Sequence, residues 1–186
     1  MRVVSRYEQS PSRILSVVND TIRAQTTPEQ FCTAALASLR PAGDGYTLTV
    51  SCAGHPPPVV VRAGGTVEEV GICGPLLGVL AQREFDDSEC TLALGDLVAF
   101  WTDGVTERRG DQAMFGEDRL RELLRGLANR SASDVARTID EAVVDYAPGL
   151  PEDDVAILVA RLTAAPVARD GEAAPAPARD FARRNP

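Results

Sequence analysis

The chain has one histidine, one tryptophan and four cysteines among its 186 residues. Cys32, Cys52, Cys73 and Cys90 stand far apart and form no Cys-x-x-Cys pair, which excludes the usual zinc ligand sets. They read instead as small, half-buried thiols in a reducing compartment. No apolar run approaches the ~18–20 residues of a membrane-spanning helix, and the stretch from Met1 to Ser10 has no signal-peptide core. Lys and Arg nowhere cluster among aromatics, and a formal charge of -8 opposes the phosphate contacts of nucleic-acid binding. The expectation is a cytoplasmic protein with neither a membrane nor a nucleic-acid partner.

What is present suffices for one domain. Hydrophobic residues make up 44% and charged residues 25%, the proportions of a globular core with a solvated surface. Ser10-Pro11 opens a helix on which Ile14, Leu15, Val18 and Ile22 form one apolar stripe. The next segment is ambiguous. Phe31, Thr33, Ala35, Ala37 and Leu39 alternate along a strand, while Thr27-Pro28 could cap a helix through the same residues.

Further on, the Asp44-Gly45 turn precedes the β-rich run Tyr46 to Cys52. Val59 to Arg62 follows a proline-stiffened corner, and Gly64-Gly65 turns into Thr66 to Val70. Glu89 to Leu94 and Leu97 to Trp101, joined at Gly95-Asp96, read as another hairpin of an antiparallel meander. A helix then carries Leu120, Leu123, Leu124 and Leu127, with Glu117 and Asp118 in its first turn, where the helix dipole favours acids. Ser131 or Ser133 caps a second, bearing Val135, Ile139, Val143 and Tyr146, which stops before Pro148-Gly149. Asp153 to Arg161 reads as the last strand, and the Ala/Pro/Arg-rich residues 163–186 as a disordered tail. Strands followed by helices and a returning strand make an α+β fold.

Two stretches carry chemistry. Leu97 to Trp101 is an apolar run closed by Thr102-Asp103, and Asp153-Asp154 opens the apolar run to Leu158. Such runs read as strands buried on both faces. A carboxylate at the mouth of one is costly to bury unless it is paired or binds a metal. Side by side, the two strands could aim their carboxylates at one cation. The plainer reading of Asp103-Gly104 is a turn, in which Gly104 lets the chain bend sharply. Alternation sends Asp153 and Asp154 to opposite faces, so one of the two is solvated. His55, in the corner Ala53-Gly54-His55-Pro56, is more simply a fold residue than a catalyst. Thr106 and Glu107 read as loop supports, and Trp101 as core.

In chain order, Ser10-Pro11 to Asn19, Phe31 to Thr33, Ala53-Gly54-His55-Pro56 and Gly74-Pro75-Leu76-Leu77-Gly78 are followed by Gly95-Asp96, Thr102-Asp103-Gly104-Val105-Thr106-Glu107, Phe115-Gly116 and Asp153-Asp154. This ordered set resembles the SpoIIE-like branch of the PPM (protein phosphatase 2C-like) serine/threonine phosphatases. The resemblance favours a strand at Phe31 to Leu39 and implies a PPM-type αββα sandwich with a binuclear Mg or Mn centre. It makes Asp103 the metal-binding aspartate of the Thr-Asp-Gly motif and Asp153 the metal-binding first residue of the terminal Asp-Asp pair. No catalytic side chain is implied beyond a metal-bound water. The implied activity is hydrolysis of phosphoserine or phosphothreonine on a regulatory protein, such as a phosphorylated anti-sigma-factor antagonist in bacterial partner switching.

The family pattern also opens with a Gly-Gly-Asp motif and then Gly-Asp-Val-Ser-Gly-Lys-Gly, and neither is in these residues. Residues 1–162 are therefore expected to form an incomplete PPM-type domain keeping only Asp103 and Asp153 of the metal set: a half-site, with activity near background. Unpaired strand edges would then favour self-association. Three origins are weighed, in this order: a reading frame begun too late, a gene remnant, or a product that binds without hydrolysing. The last is the rival reading, a catalytically inactive binding module in the same pathway.

Overall fold

The computed structural model describes residues 10–25, 31–81, 83–149 and 153–163. The expected tail, apart from Thr163, and the Thr27-Pro28 cap lie outside them. In chain order the elements are α1 (Pro11–Gln25), β1 (Ala34–Ala42), β2 (Gly45–Ala53), β3 (Val59–Val61), β4 (Val67–Glu69), β5 (Cys73–Gly74), β6 (Ser88–Leu92), β7 (Leu97–Trp101), α2 (Asp103–Thr106), α3 (Glu117–Gly126), α4 (Ala132–Tyr146) and β8 (Ile157–Arg161). One sheet runs β1-β2-β5, with β6 also paired to β2, and the other runs β4-β3-β7-β8.

Three apolar seams stack these elements into four layers. Leu15, Val18 and Ile22 of α1 pack with Ala53, Ala34 and Leu36 on the outer face of the first sheet. Leu48, Val50 and Cys52 meet Val60, Val98 and Phe100 between the sheets. Val59, Val61, Leu97, Ala99 and Trp101 pack outward against Leu120, Leu124, Val135, Ile139 and Val143 of α3 and α4. The alternation of side chains along β7 thus feeds two seams at once, which is why its five residues are all apolar. The arrangement is an αββα sandwich.

The ambiguous segment is a strand. In β1, Ala34 and Leu36 face α1 while Ala35 joins the inter-sheet seam, a division that a helix could not make. Its partner is β2, in antiparallel register from Ala34↔Ala53 to Ala42↔Gly45, and Pro41 is tolerated because among the described residues β1 is an edge strand. The expected hairpin of residues 89–101 does not form. β6 pairs with β2 and β7 with β3 and β8, so the Gly95-Asp96 turn carries the chain from one sheet to the other. The carboxylate of Asp96, 3% exposed, holds that crossing. It accepts from the N–H groups of Ala63 and Ala93, each at 3.0 Å, and from Arg62 Nη1 at 2.9 Å. The strands are antiparallel except for the short parallel pair β2–β5.

β8 also departs from expectation. It begins at Ile157 rather than Asp153 and is half-buried, alternating along its length, with Leu158 64% exposed. Only β7 pairs with it among the described residues. Cys52 is buried and Cys90 half-buried, but Cys32 and Cys73 are exposed; all four are free thiols.

α1 is fixed by more than its stripe. Asn19 is fully buried, takes the N–H of Gly78 at 2.9 Å and gives its amide to Leu80 O at 3.0 Å. Asn19→Ala strands both backbone groups, and urea unfolding should show a loss of about 2 kcal/mol. Unchanged stability would mean that the apolar stripe alone holds the helix.

Candidate metal centre

β7 ends at Trp101 opposite Ile157, the first residue of β8. Beyond that pair the two chains stay laced together. Thr102 N–H donates to Ala156 O at 3.0 Å, Thr102 Oγ1 donates to Asp154 O at 2.7 Å, and Ala156 N–H donates to Thr102 Oγ1 at 2.9 Å. Asp103 then starts the one-turn helix α2, closed by Glu107 N–H donating to Asp103 O at 2.7 Å. The next residue presses onto the neighbouring chain. A Cβ on Gly104 would lie 2.6 Å from Asp154 O and 3.3 Å from Asp153 O. Gly104 is therefore required for close approach of two backbones, not for the sharp bend expected of it.

This packing brings Asp103 and Asp153-Asp154 to one end of the second sheet. Both Asp103 and Asp153 are exposed. Each turns Oδ1 onto the N–H of the residue after it, Gly104 and Asp154, at 3.0 Å. Among the described residues the other oxygen of each carboxylate accepts no hydrogen bond, so both can reach a ligand. A pocket of about 250 Å³ opens here, lined by Gly104, Glu107, Arg108, Arg109 and Asp153.

His55 is not among the lining residues. Its Nδ1 contacts Pro56 O at 2.9 Å, consistent with a corner residue. Thr106 Oγ1 donates to Asp103 O at 3.3 Å, and Glu107 stands on the pocket wall. Trp101 is core, 4% exposed.

The model of the family described as Stage II sporulation protein E (SpoIIE) matches residues 1–163. The chain belongs to the SpoIIE family. Within the SpoIIE family it is similar to the phosphoserine phosphatase RsbU of Bacillus subtilis (strain 168), at 23% identity over 152 residues, 81% of this chain and 45% of RsbU. It thus spans less than half the length of that relative. Its fold is similar to the RsbU and RsbW domains of a Mycobacterium tuberculosis protein, with a TM-score of 0.71 at 24% identity over 88% of this chain and 45% of that one. It is also similar to the Mn-presoaked phosphatase domain of the Bacillus subtilis cell fate determinant SpoIIE, with a TM-score of 0.60 at 18% identity over 82% and 65% of the two chains. The αββα sandwich of this SpoIIE-family chain is thus a PPM-type phosphatase fold.

Whether these residues suit a metal follows from the donors themselves. Two accessible carboxylates are hard oxygen ligands of the kind Mg and Mn take, and Mg commonly keeps one or two carboxylates with several waters. By donor chemistry they suit one such ion. Among the described residues no group of three or more His, Cys, Asp or Glu could hold a metal, so they do not make a two-metal centre.

Sequence reasoning missed Arg108 and Arg109. Adjacent and identical in the sequence, they part in the fold: Arg108 is 6% exposed while Arg109 is a surface residue. Arg108 Nη2 donates to Ala147 O at 2.7 Å and Gly149 O at 2.6 Å, at the end of α4.

Proposed function

We propose that this chain contributes the Asp103 and Asp153 side of a metal-dependent phosphoserine/phosphothreonine phosphatase site. The observation supporting this reading is the Gly104 contact, which lays the turn that begins at Asp103 against the Asp153-Asp154 backbone, next to a pocket that Gly104 and Asp153 line. A Mg or Mn ion held there supplies Lewis-acid polarisation and lowers the pKa of a coordinated water. The chain's own part is to hold that ion through Asp103 and Asp153. Arg109 adds to the pocket wall a guanidinium whose forked donors match phosphate oxygens. The substrate in this reading is a phosphorylated regulatory protein of the anti-sigma-factor-antagonist kind, met in the cytoplasm. Residues 1–162 form the phosphatase-type part and 163–186 a tail, and the outer edges of β1 and β8, which pair with no further strand among the described residues, allow self-association.

A second reading, a module that binds the phosphoprotein without hydrolysing it, is favoured by the missing third ligand among the described residues. Electron paramagnetic resonance titration with Mn²⁺ tests the shared premise. Asp103→Asn should weaken binding by at least about tenfold, and Mn²⁺ affinity indifferent to that change would overturn it. Phosphate release from a phosphoserine peptide, present with Mn²⁺ and lost in Asp103→Asn, supports the phosphatase. Mn²⁺-dependent retention of the peptide without release supports the module.

A further inference from the structure

The segments bearing Asp103 and Asp153 are tied on one side by Thr102 and Gly104 against 153–156. A second tie lies on the other side of Asp103. Arg108, five residues on, is buried against the C-terminal end of α4, where its Nη2 donates to Ala147 O, to Gly149 O and, at 3.4 Å, to Pro148 O. These carbonyls follow the last helical residue, Tyr146: Ala147 is the extended C-cap, and Pro148 and Gly149 continue the chain beyond it, close to the negative end of the helix dipole. A guanidinium suits that end because it is planar, always charged and rich in donors. Among the described residues Arg108 Nε is buried without a hydrogen-bond partner, which carries a desolvation cost.

Arg108 and Asp153 also line the same pocket, and Asp153 follows Gly149 by only four residues. A chain of that length reaches at most about 14 Å, so holding Gly149 limits where Asp153 can stand. α4 has a packed face of its own: Val135, Ile139 and Val143 are each no more than 1% exposed.

We propose that Arg108 is a positioning residue for Asp153. By clamping Ala147 to Gly149 it sets where the chain re-enters the pocket, and with Thr102 and Gly104 it holds the two carboxylates in one arrangement. This rests on the reading of Asp103 and Asp153 as a metal-binding pair, but its test separates the two.

The experiment compares the wild-type chain with Arg108→Met and Arg108→Lys by residue-resolved hydrogen exchange and by Mn²⁺ titration followed by electron paramagnetic resonance. In Arg108→Met the amides of Asp154 and Ala156 should exchange at least about tenfold faster, with β2 and β6 protected as before. Mn²⁺ binding should weaken several-fold, and Arg108→Lys, which keeps a charged donor, should recover part of both losses. Unchanged exchange at Asp154 and Ala156 would overturn the proposal. So would a loss spread evenly over α4 and β8, the mark of a purely stabilising cap. Should Arg108→Met fail to fold, Arg108→Lys decides by the same local readout: faster exchange confined to Asp154 and Ala156 supports the proposal, and unchanged or evenly spread exchange overturns it. Mn²⁺ binding indifferent to Asp103→Asn sinks the metal reading instead and leaves the exchange result to judge Arg108.

Discussion

Gly104→Ala should destabilise the protein by about 2 kcal/mol and sharply weaken Mn²⁺ binding, although it adds one methyl group to a helical turn. Helix propensity argues the other way, since alanine is better than glycine in a helix by about 1 kcal/mol. Sterics decide the sign. The added Cβ would stand 2.6 Å from Asp154 O and 3.0 Å from Asp154 C, and both are backbone atoms that no rotamer change can move aside. Nor can that backbone easily retreat, because Thr102 Oγ1 holds Asp154 O at 2.7 Å and Ala156 N–H at 2.9 Å. Either the hydrogen bonds stretch or α2 tilts, and in both cases Asp103 moves away from Asp153. Urea unfolding and a Mn²⁺ titration check the two effects. A more stable variant with wild-type Mn²⁺ affinity would show that the two segments are not in contact.

Asp96→Ala should cost about 3 kcal/mol at neutral pH and also change how stability responds to acid. Burial raises the carboxyl's pKa, but the N–H groups of Ala93 and Ala63 and the Arg62 guanidinium outweigh it and hold the group below the ordinary carboxylate range. A folded-state pKa below the unfolded one means the contribution is complete above the unfolded value, about 3.9. It is lost as pH falls through the folded value. Urea midpoints measured from pH 7 down to acid should therefore fall less steeply in Asp96→Ala than in the wild type. Parallel curves would mean that Asp96 titrates alike in both states and that its bonds do not survive in solution.

Much of this fold is visible in residue order because its segments follow a clean period. Leu97 to Trp101 is apolar at every position since it feeds two seams, and the leucines of α3 repeat at helical spacing. The crossing at Gly95-Asp96 is hidden for a different reason. A turn signal encodes a reversal of the chain but not which sheet receives the strand, and the deciding contacts are with Arg62 and Ala63, more than thirty residues back. The half-cover of β8 is hidden because an apolar run does not say whether both faces find cover: Leu158 has none among the described residues, while Ile157 and Val159 do. The site divides similarly. Asp103 and Asp153 announce themselves as acids abutting apolar strands. Arg108 cannot be told from Arg109 until the end of α4 arrives beside it, and Gly104 reads as a turn residue until the Asp153-Asp154 backbone is laid against it.

The lacing of Thr102 to Asp154 joins positions 52 residues apart, with α3 and α4 lying between them in the chain. Neither carboxylate is near the other in any locally ordered intermediate, however well its own strand or helix is formed. Closing so long a loop carries an entropic penalty that must be met before its contacts repay it. The pocket is therefore expected to form late in folding, after α3 and α4 have packed, which order-resolved pulse-labelling hydrogen exchange at Asp154 and Ala156 would check. An ion that needs both carboxylates would then bind after that closure, slowing unfolding more than it speeds folding.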